Sequence, residues 1–316
     1  MDAPSAIAFL ASAGPVVLDG GLATELERRG HDLTDDLWSA RLLRDDPGAI
    51  EDVHLAYFRA GAQVAITSSY QASFEGFAAT GIEREEAARL LRLSVELADR
   101  ARRRRISELE EAGEAVPVLL IAASAGPYGA MLAGGQEYTG GYGLTRAELR
   151  DFHRPRLREL VAAEPDLVAF ETIPSLLEAQ ALVDLLPEFP GLAAWLSFSC
   201  ADGVRTCEGQ PIEDAVSVAA RSEQIVATGV NCTAPALVES LLARARSATE
   251  RPLVVYPNDG QVWHGPDRRW FGLASDGFPA DTVERWHELG AQLIGGCCGV
   301  GPDGIRSLAK IAARWG

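Results

Sequence analysis

Three cysteines, Cys232 and the adjacent pair Cys297 and Cys298, are the residues of this sequence whose types and spacing best support chemistry. Three thiolates with an open fourth position match the ligand pattern of catalytic zinc. Zinc with three thiolates carries a net negative charge, so it would acidify water less than zinc with neutral histidine ligands. It would instead suit a substrate thiol, held as a thiolate that attacks a methyl group on a cationic sulfonium donor.

The spacing of the cysteines also allows other interpretations. Buried cysteines are commonly inert, and a disulfide between Cys297 and Cys298 or a single nucleophilic cysteine would fit the same pattern. Cys200 ends a predicted strand without a partner and Cys207 lies in a predicted loop, so we expect neither to be a ligand. A metal-free cysteine hydrolase is the alternative function, although no histidine stands at a matching strand end to act as its base.

Eight short apolar segments, rich in Val, Ile, Leu and Ala, alternate with longer helical patterns along the chain. Such segments are typical of strands buried on both faces, and their alternation with helices predicts parallel βαβ units. Eight units in 316 residues predict a (β/α)₈ TIM barrel that forms a single domain over residues 1–316. The predicted strands are Val16–Leu18, Val64–Thr67, Val118–Ala122, Leu167–Phe170, Ala193–Phe198, Ile225–Gly229, Leu253–Tyr256 and Gln292–Ile294.

Polar or glycine-rich clusters follow most of these strands, and a barrel brings all such ends to one rim. Cys232 follows the sixth strand and the cysteine pair follows the eighth, so the three thiols are expected at the same mouth. Adjacent residues of a strand point to opposite faces, so both members of the pair can reach one metal only beyond the strand end. Gly295, Gly296 and Gly299 would permit that backbone path.

Two segments, Gly126–Gly143 and Pro257–Ser275, are longer than ordinary βα loops and are predicted to cover the mouth. The first is rich in glycine and tyrosine. The helix that follows it is predicted to open with a capping box at Thr145, and Ser175 with Glu178 repeats that pattern at a later helix.

The charge of the chain excludes several classes of function. A formal net charge of −16 argues against a nucleic-acid partner, because phosphate contacts need clustered Lys and Arg. The one basic run, Arg102–Arg105, is interpreted as a solvated helix end. No apolar run approaches the ~20 residues of a membrane span, and no signal-peptide pattern opens the chain. With an odd count of five cysteines, these features predict a cytoplasmic protein without a membrane partner.

No HExxH, P-loop or GxSxG motif competes with the cysteines.

In combination, these segments resemble the homocysteine S-methyltransferase family across nearly the whole chain. The most specific pair is the Asn-Cys segment after the sixth strand and the Gly-Gly-Cys-Cys-Gly segment after the eighth. The matching segments are 17–21, 67–73, 170–174, 229–235, 256–260 and 294–299.

The resemblance implies that Cys232, Cys297 and Cys298 hold zinc and that the sulfur of homocysteine completes the tetrahedron. Asp19 and Glu171 resemble the carboxylates near the homocysteine amino group. As bare sequence features, these two carboxylates could also cap βα turns.

Four further residues match pocket positions of the family. For Tyr70 the alternative role is rim packing, and for the other three it is a turn. These candidates are Tyr70, Asn231, Asn258 and Asp259.

One position departs from the betaine-using relatives, which carry a tyrosine after the strand-four glutamate that can bind zinc before substrate arrives. Thr172 stands there in this chain, so water or another pocket residue must fill that role.

The length of the chain, without the C-terminal arm of the betaine-using relatives, resembles the enzymes that use S-methylmethionine or S-adenosylmethionine. The expected reaction is methyl transfer from such a sulfonium donor to homocysteine, giving methionine, with betaine as the alternative donor. The missing arm favours a monomer and leaves a homodimer open. The loop aromatics could contact a sulfonium through cation–π attraction.

Overall fold

All eight predicted apolar segments form strands of one parallel sheet. The structure, a computed structural model, describes residues 2–12, 14–33, 38–264, 269–271 and 277–315. Two further strands, β8 and β9, form a separate antiparallel hairpin. The strands are β1 Val16–Val17, β2 Val64–Ile66, β3 Leu120–Ala125, β4 Leu167–Ile173, β5 Ala194–Phe198, β6 Ile225–Asn231, β7 Leu253–Tyr256, β8 Val262–His264, β9 Arg269–Phe271 and β10 Ala291–Ile294.

The sheet closes into a barrel. Its order is β1-β10-β7-β6-β5-β4-β3-β2, with all neighbours parallel. The remaining gap between β1 and β2 is bridged where Leu18 pairs with Val64 and the amide of Asp19 donates to the carbonyl of Val64 at 3.0 Å. The predicted single-domain (β/α)₈ barrel is therefore confirmed.

Helices connect the strands and form the outer layer. Short 3₁₀ turns extend some of the helices. A separate 3₁₀ turn, Gln136–Tyr138, lies in the loop after β3. The helices are α1 Ala3–Ser12, α2 Leu22–Arg28, α3 Leu42–Asp45, α4 Pro47–Ala60, α5 Phe74–Ala79, α6 Arg84–Glu111, α7 Tyr128–Met131, α8 Arg146–Ala162, α9 Leu176–Leu185, α10 Ile212–Ser217, α11 Pro235–Ala248, α12 Ala280–Glu288 and α13 Pro302–Ala312.

Two apolar clusters hold the layers together, as expected for strands buried on both faces. One cluster lies between the strands and the outer helices. The other fills the barrel interior around Trp195 and Tyr256, and α1 adds Ala6 and Leu10 to it. Leu10 lies beside residues near the starts of the strands, such as Val16 and Leu167, so α1 covers the end of the barrel opposite the strand ends.

Of the two predicted capping boxes, one is present in full and the other only in its first half. At Thr145 both halves of the capping box are present. At Ser175 the side chain accepts from the amide of Glu178, but the Glu178 carboxylate turns away to His153 and the amide of Tyr128. The buried histidine competes for the carboxylate, so the second half of that predicted box is wrong.

The basic run Arg102–Arg105 lies inside α6, not at its end, because the helix continues for six residues beyond Arg105. Its guanidinium groups form ion pairs, such as that of Arg102 with Asp166 at 2.7 Å. The predicted position at a helix end is therefore wrong, whereas Arg103 and Arg104 are exposed, as predicted for a solvated run.

The two long segments have local structure. Gly126–Gly143 contains α7 and the 3₁₀ turn, while Pro257–Ser275 contains the β8–β9 hairpin, with residues 265–268 and 272–275 of it outside the described residues. Within the described ranges, no helix combines the length and apolar character needed to cross a membrane.

Candidate active site

The three predicted cysteines meet at the strand-end mouth of the barrel. The Sγ atom of Cys298 lies 3.7 Å from that of Cys232 and 3.9 Å from that of Cys297. All three sulfurs lie within 4.8 Å of one another, and they form a group that can hold a metal ion. Tetrahedral zinc with Zn–S bonds of about 2.3 Å separates its sulfurs by about 3.8 Å, so the donor set and its spacing fit that ion.

The backbone beyond the strands places these thiols. The amide of Cys232 donates to the carbonyl of Tyr256 at 3.0 Å, and the amide of Cys297 donates to that of Pro257 at 2.8 Å. Cys232 takes a φ of 46°, which is rare for a residue other than glycine. Gly299 follows the pair with a φ of 83°, and a Cβ there would lie 2.1 Å from the Asp259 carboxylate. The predicted need for glycine beside the pair is met at this position.

The pKa values of the three thiols shift in different directions. Hydrogen bonds from Cys297 and Cys298 lower the pKa of Cys232 well below its usual range, and Tyr138 contributes to this. The same interactions with Cys232 raise the pKa of Cys297 and of Cys298. A buried thiol whose pKa is lowered by nearby hydrogen-bond donors loses its proton more easily, which favours binding of a soft metal ion.

Two buried carboxylates, Asp19 and Glu171, lie at the ends of β1 and β4. Glu171 lines the pocket and accepts a hydrogen bond from Ser124. Burial raises the pKa of Glu171 to about 7 and the pKa of Asp19 well above its usual range. One oxygen of Asp19 accepts from the amide of Ile66 at 2.8 Å, and its other oxygen has no hydrogen-bond partner within the described residues. Glu171 therefore offers acceptor capacity to a cationic ligand in the pocket, whereas buried Asp19 is not among the lining residues.

A ladder of polar side chains rises through the barrel interior to this site. The hydroxyl of Tyr256 contacts Ser197 at 2.8 Å, and Ser197 donates to the Asn231 side chain at 2.9 Å. Asn231 then binds Thr172 twice, accepting from its amide at 2.7 Å and donating to its hydroxyl at 2.8 Å. These bonds hold Thr172 at a φ of 59°, a conformation that costs a β-branched residue free energy.

Three of the predicted pocket residues act in the scaffold. Asn231 lies behind the pocket lining and holds Thr172 through the two hydrogen bonds described above. Asn258 and Asp259 close turns, accepting from the amides of Gly260 and Gln261 at 3.0 Å each. None of the three is among the lining residues of the pocket, so substrate contact by them stays a prediction.

Tyr70 lines the pocket, as predicted for it, and its ring packs against Gly126. Two lining residues were missed as site residues by the sequence reasoning, Glu137 and Tyr138 of the 3₁₀ turn after β3. The hydroxyl of Tyr138 lies 3.0 Å from Sγ of Cys232, so this loop reaches the cysteine cluster. Only the unusual loop length and its tyrosines pointed to this segment.

The pocket is a cleft whose walls mix apolar, phenolic and acidic groups. Cys200 and Cys207 lie outside the metal-binding group, as predicted. No Lys, Arg or His is among the described residues that line the cleft, so they offer no histidine as the base of a metal-free cysteine hydrolase. The lining includes Gly20, Gly21, Leu22, Leu33, Ile66, Thr67, Tyr70, Ala133, Glu137, Tyr138, Glu171, Thr172, Cys232, Tyr256, Cys297 and Cys298.

The fold and this site define a (β/α)₈-barrel protein that can hold a metal ion through three cysteine thiolates at the mouth of its barrel. Comparison with known proteins narrows this class. The family model for homocysteine S-methyltransferase matches residues 16–312. The chain is 48% identical over 297 residues to the homocysteine S-methyltransferase YbgG of Bacillus subtilis, covering 94% of each chain.

Plant and structural relatives agree. Homocysteine S-methyltransferase 1 of Zea mays is 45% identical over 307 residues, covering 95% of each chain. The metallated crystal form of the Escherichia coli homocysteine methyltransferase MmuM superposes with a TM-score of 0.84 at 43% identity, covering 97% of this chain and 98% of that one. The chain belongs to the homocysteine S-methyltransferase family and is a methyltransferase, which confirms the resemblance and the predicted enzyme class.

Proposed function

We propose that this chain transfers a methyl group from a sulfonium donor, S-methylmethionine in first place and S-adenosylmethionine in second, to homocysteine, giving methionine. The single observation that carries the proposal is the cluster of three cysteines on the wall of a pocket that also contains Glu171. Family membership supports homocysteine as the acceptor.

We propose zinc as the metal held by Cys232, Cys297 and Cys298. The all-sulfur donor set favours a soft or borderline ion, and the sulfur spacings of 3.7 and 3.9 Å suit tetrahedral coordination. When bound, zinc would keep the homocysteine sulfur deprotonated and nucleophilic at neutral pH.

Asp19 and Glu171 are proposed to bind the ammonium group of homocysteine. Ser124 holds one oxygen of Glu171, and the amide of Ile66 holds one of Asp19, so both carboxylates are fixed before the substrate arrives. Fixed acceptors orient the substrate sulfur without a further entropy cost at the moment of reaction.

The transfer requires no general acid or base from the chain. The homocysteine thiol loses its proton to solvent on binding, and its sulfur then forms a bond to the methyl carbon. The donor S–CH₃ bond breaks with its electron pair retained by the donor sulfur, which leaves as a neutral thioether. Tyr70, Ile66 and Leu33 line the pocket and can exclude water, which favours this discharge of opposite charges.

A donor panel tests the proposed reaction. Zinc-loaded protein is assayed for methionine formation from homocysteine with S-methylmethionine, S-adenosylmethionine and betaine, and we expect the highest kcat/KM for S-methylmethionine. The absence of methyl transfer from every sulfonium donor would reject the proposal.

The metal site is tested by Cys297→Ser, with Cys207→Ser as the matched control outside the cluster. We expect Cys297→Ser to lose its zinc and to lower activity by more than about a hundredfold, because a first ligand matters more than the outer groups that orient it. Cys207→Ser should retain both. A full zinc content in Cys297→Ser, measured by atomic absorption, would remove the ligand assignment.

A cytoplasmic location, a monomeric state and the absence of a nucleic-acid partner stay predictions. Size-exclusion chromatography with light scattering checks the monomer.

A further inference from the structure

Glu137 carries a buried carboxylate that the described residues satisfy only in part. The residue lines the pocket, and its Oε2 atom is buried without a hydrogen-bond partner within the described residues. Burial, with a smaller contribution from the negative charge of Cys232, raises its pKa to about 7. A buried carboxylate of this kind costs free energy unless a cation or hydrogen-bond donor reaches it.

The described part of the pocket lining supplies no cation to Glu137. No basic side chain is among the described residues that line the pocket, so the lining offers Glu137 no ion-pair partner. Its nearest aromatic neighbour in sequence is Tyr138, and its charge also acts on Tyr70. Phenol rings near a carboxylate favour a compact, weakly hydrated cation over a neutral group, because each ring face attracts a cation.

The position of Glu137 is built into the fold. Its carbonyl accepts from the hydroxyl of Ser199 at 2.8 Å. The start of the same loop is held by buried Arg156, which donates to the carbonyl of Gly126 at 2.8 Å, and its end by Glu208, which accepts from the amide of Gly141 at 2.7 Å. The backbone that carries the carboxylate is therefore held in place before any ligand binds.

Glu137 is separate from the carboxylates assigned to homocysteine. Asp19 and Glu171 lie at the ends of barrel strands, and the charge of Glu171 raises the pKa of Asp19. Glu137 instead belongs to the loop that covers the mouth. The next residue, Tyr138, contacts Cys232 at 3.0 Å, so Glu137 lies close to the reacting centre. The cation nearest that centre in the proposed reaction is the sulfonium of the methyl donor.

We propose that Glu137 binds the sulfonium centre of the methyl donor, an assignment that rests on the proposed function. Glu137 attracts the donor in its charged ground state. The positive charge disappears as the methyl group moves, so the attraction weakens in the transition state. Removal of the carboxylate should therefore raise the KM for the donor and leave kcat unchanged or slightly higher.

The test uses Glu137→Gln, which keeps the shape of the side chain and removes its charge, in the zinc-loaded enzyme. We expect the KM for S-methylmethionine to rise by about tenfold to a hundredfold, as for loss of one partner of a desolvated charge pair. The KM for homocysteine and the zinc content should not change. Glu114→Gln, at an exposed position after α6, is the matched control and should behave as wild type.

Binding measurements distinguish the sulfonium from the rest of the donor. Calorimetry compares S-methylmethionine with methionine, which has the same ammonium and carboxylate groups but a neutral sulfur. Glu137→Gln should weaken binding of S-methylmethionine and leave binding of methionine unchanged.

Three outcomes would overturn the assignment to Glu137: an unchanged donor KM in Glu137→Gln, an equal loss for methionine and S-methylmethionine, or a fall in kcat with no change in KM. Each presupposes wild-type enzyme that transfers methyl from a sulfonium donor. Failure of the wild-type enzyme to do so would instead reject the proposed function.

Discussion

At the scale of single residues, the pocket and the barrel wall beside it contain buried acidic groups that the described residues satisfy only in part. Burial raises the pKa values of Asp19, Glu137 and Glu171, and one oxygen each of Asp19 and Glu137 has no partner within the described residues. Native proteins rarely retain such groups unless a ligand completes them. The reaction proposed for this chain brings two cations, an ammonium and a sulfonium, into one acidic cleft.

Glu171 should make the metal-free protein less stable as the pH rises. Its folded pKa of about 7 lies above the ordinary 4.5, so the folded state binds the extra proton between these values. Stability falls as the pH rises through that window, by up to about 3 kcal/mol at its upper end. Glu171→Gln removes this loss and should therefore raise the melting temperature at pH 8 more than at pH 5.

Thermal unfolding in the presence of a chelator measures this difference between variant and wild type. Glu114→Gln serves as the control for a surface charge and should give no such difference between the two pH values. The same Glu171→Gln protein should bind homocysteine more weakly. An equal change in melting temperature at pH 5 and pH 8 would contradict the role of burial at Glu171.

At the scale of elements, the loop between β3 and α8 decides how the mouth is completed. Buried Arg156 and Glu178 belong to the outer helices α8 and α9, yet both bind the backbone at the start of this loop. Gly126 allows Tyr70 to pack closely there, since a Cβ at this position would lie 2.6 Å from the tyrosine ring and 2.7 Å from its carbonyl oxygen. Outer helices and the tyrosine thus fix the loop that carries Glu137.

Gly126→Ala should displace this loop while leaving the barrel folded. Overpacking of this kind costs about 1–3 kcal/mol, and the carbonyl of Tyr70 cannot move aside as a flexible side chain would. We expect kcat/KM for the donor to fall at least about tenfold with a small loss in melting temperature.

Gly48→Ala, in α4, is the matched control, because the nearest atom to its added Cβ is 3.6 Å away. Steady-state kinetics and circular dichroism check both variants. Wild-type kinetics in Gly126→Ala would show that the loop position does not depend on this contact.

At the scale of the whole molecule, stability and chemistry lie at opposite ends of the barrel. The mouth holds the cysteines and carboxylates, and α1 covers the other end with Ala6 and Leu10. Such a division is common in TIM barrels, whose active sites occupy the carboxyl ends of the strands.

Leu10→Ala should therefore destabilise the protein without altering its chemistry. Loss of a buried leucine costs about 2–5 kcal/mol, which should lower the melting temperature by several degrees. Ile7→Ala on the same helix is the control, because Ile7 is 37% exposed whereas Leu10 is 4% exposed. Zinc content and KM values should match wild type, and a changed homocysteine KM in Leu10→Ala would argue against the separation of the two ends.

The sequence by itself determined the barrel and the place of its cysteines. Eight apolar segments of strand length can be recognised in the sequence, because a strand buried on both faces must be apolar along its length. The positions of Cys232, Cys297 and Cys298 just beyond strands follow from these segments. Boundaries moved by a residue or a few, as at β6, where the pairing of Asn231 with Tyr256 extends the strand.

Only the tertiary structure decided which loop side chains reach the site. Glu137 and Tyr138 enter the pocket because contacts from distant residues fix their turn, such as Arg156 on Gly126, 30 positions apart. Asn231 clamps Thr172 across 59 positions. No local pattern encodes these directions, since a side chain outside regular structure points wherever its distant partners hold the backbone.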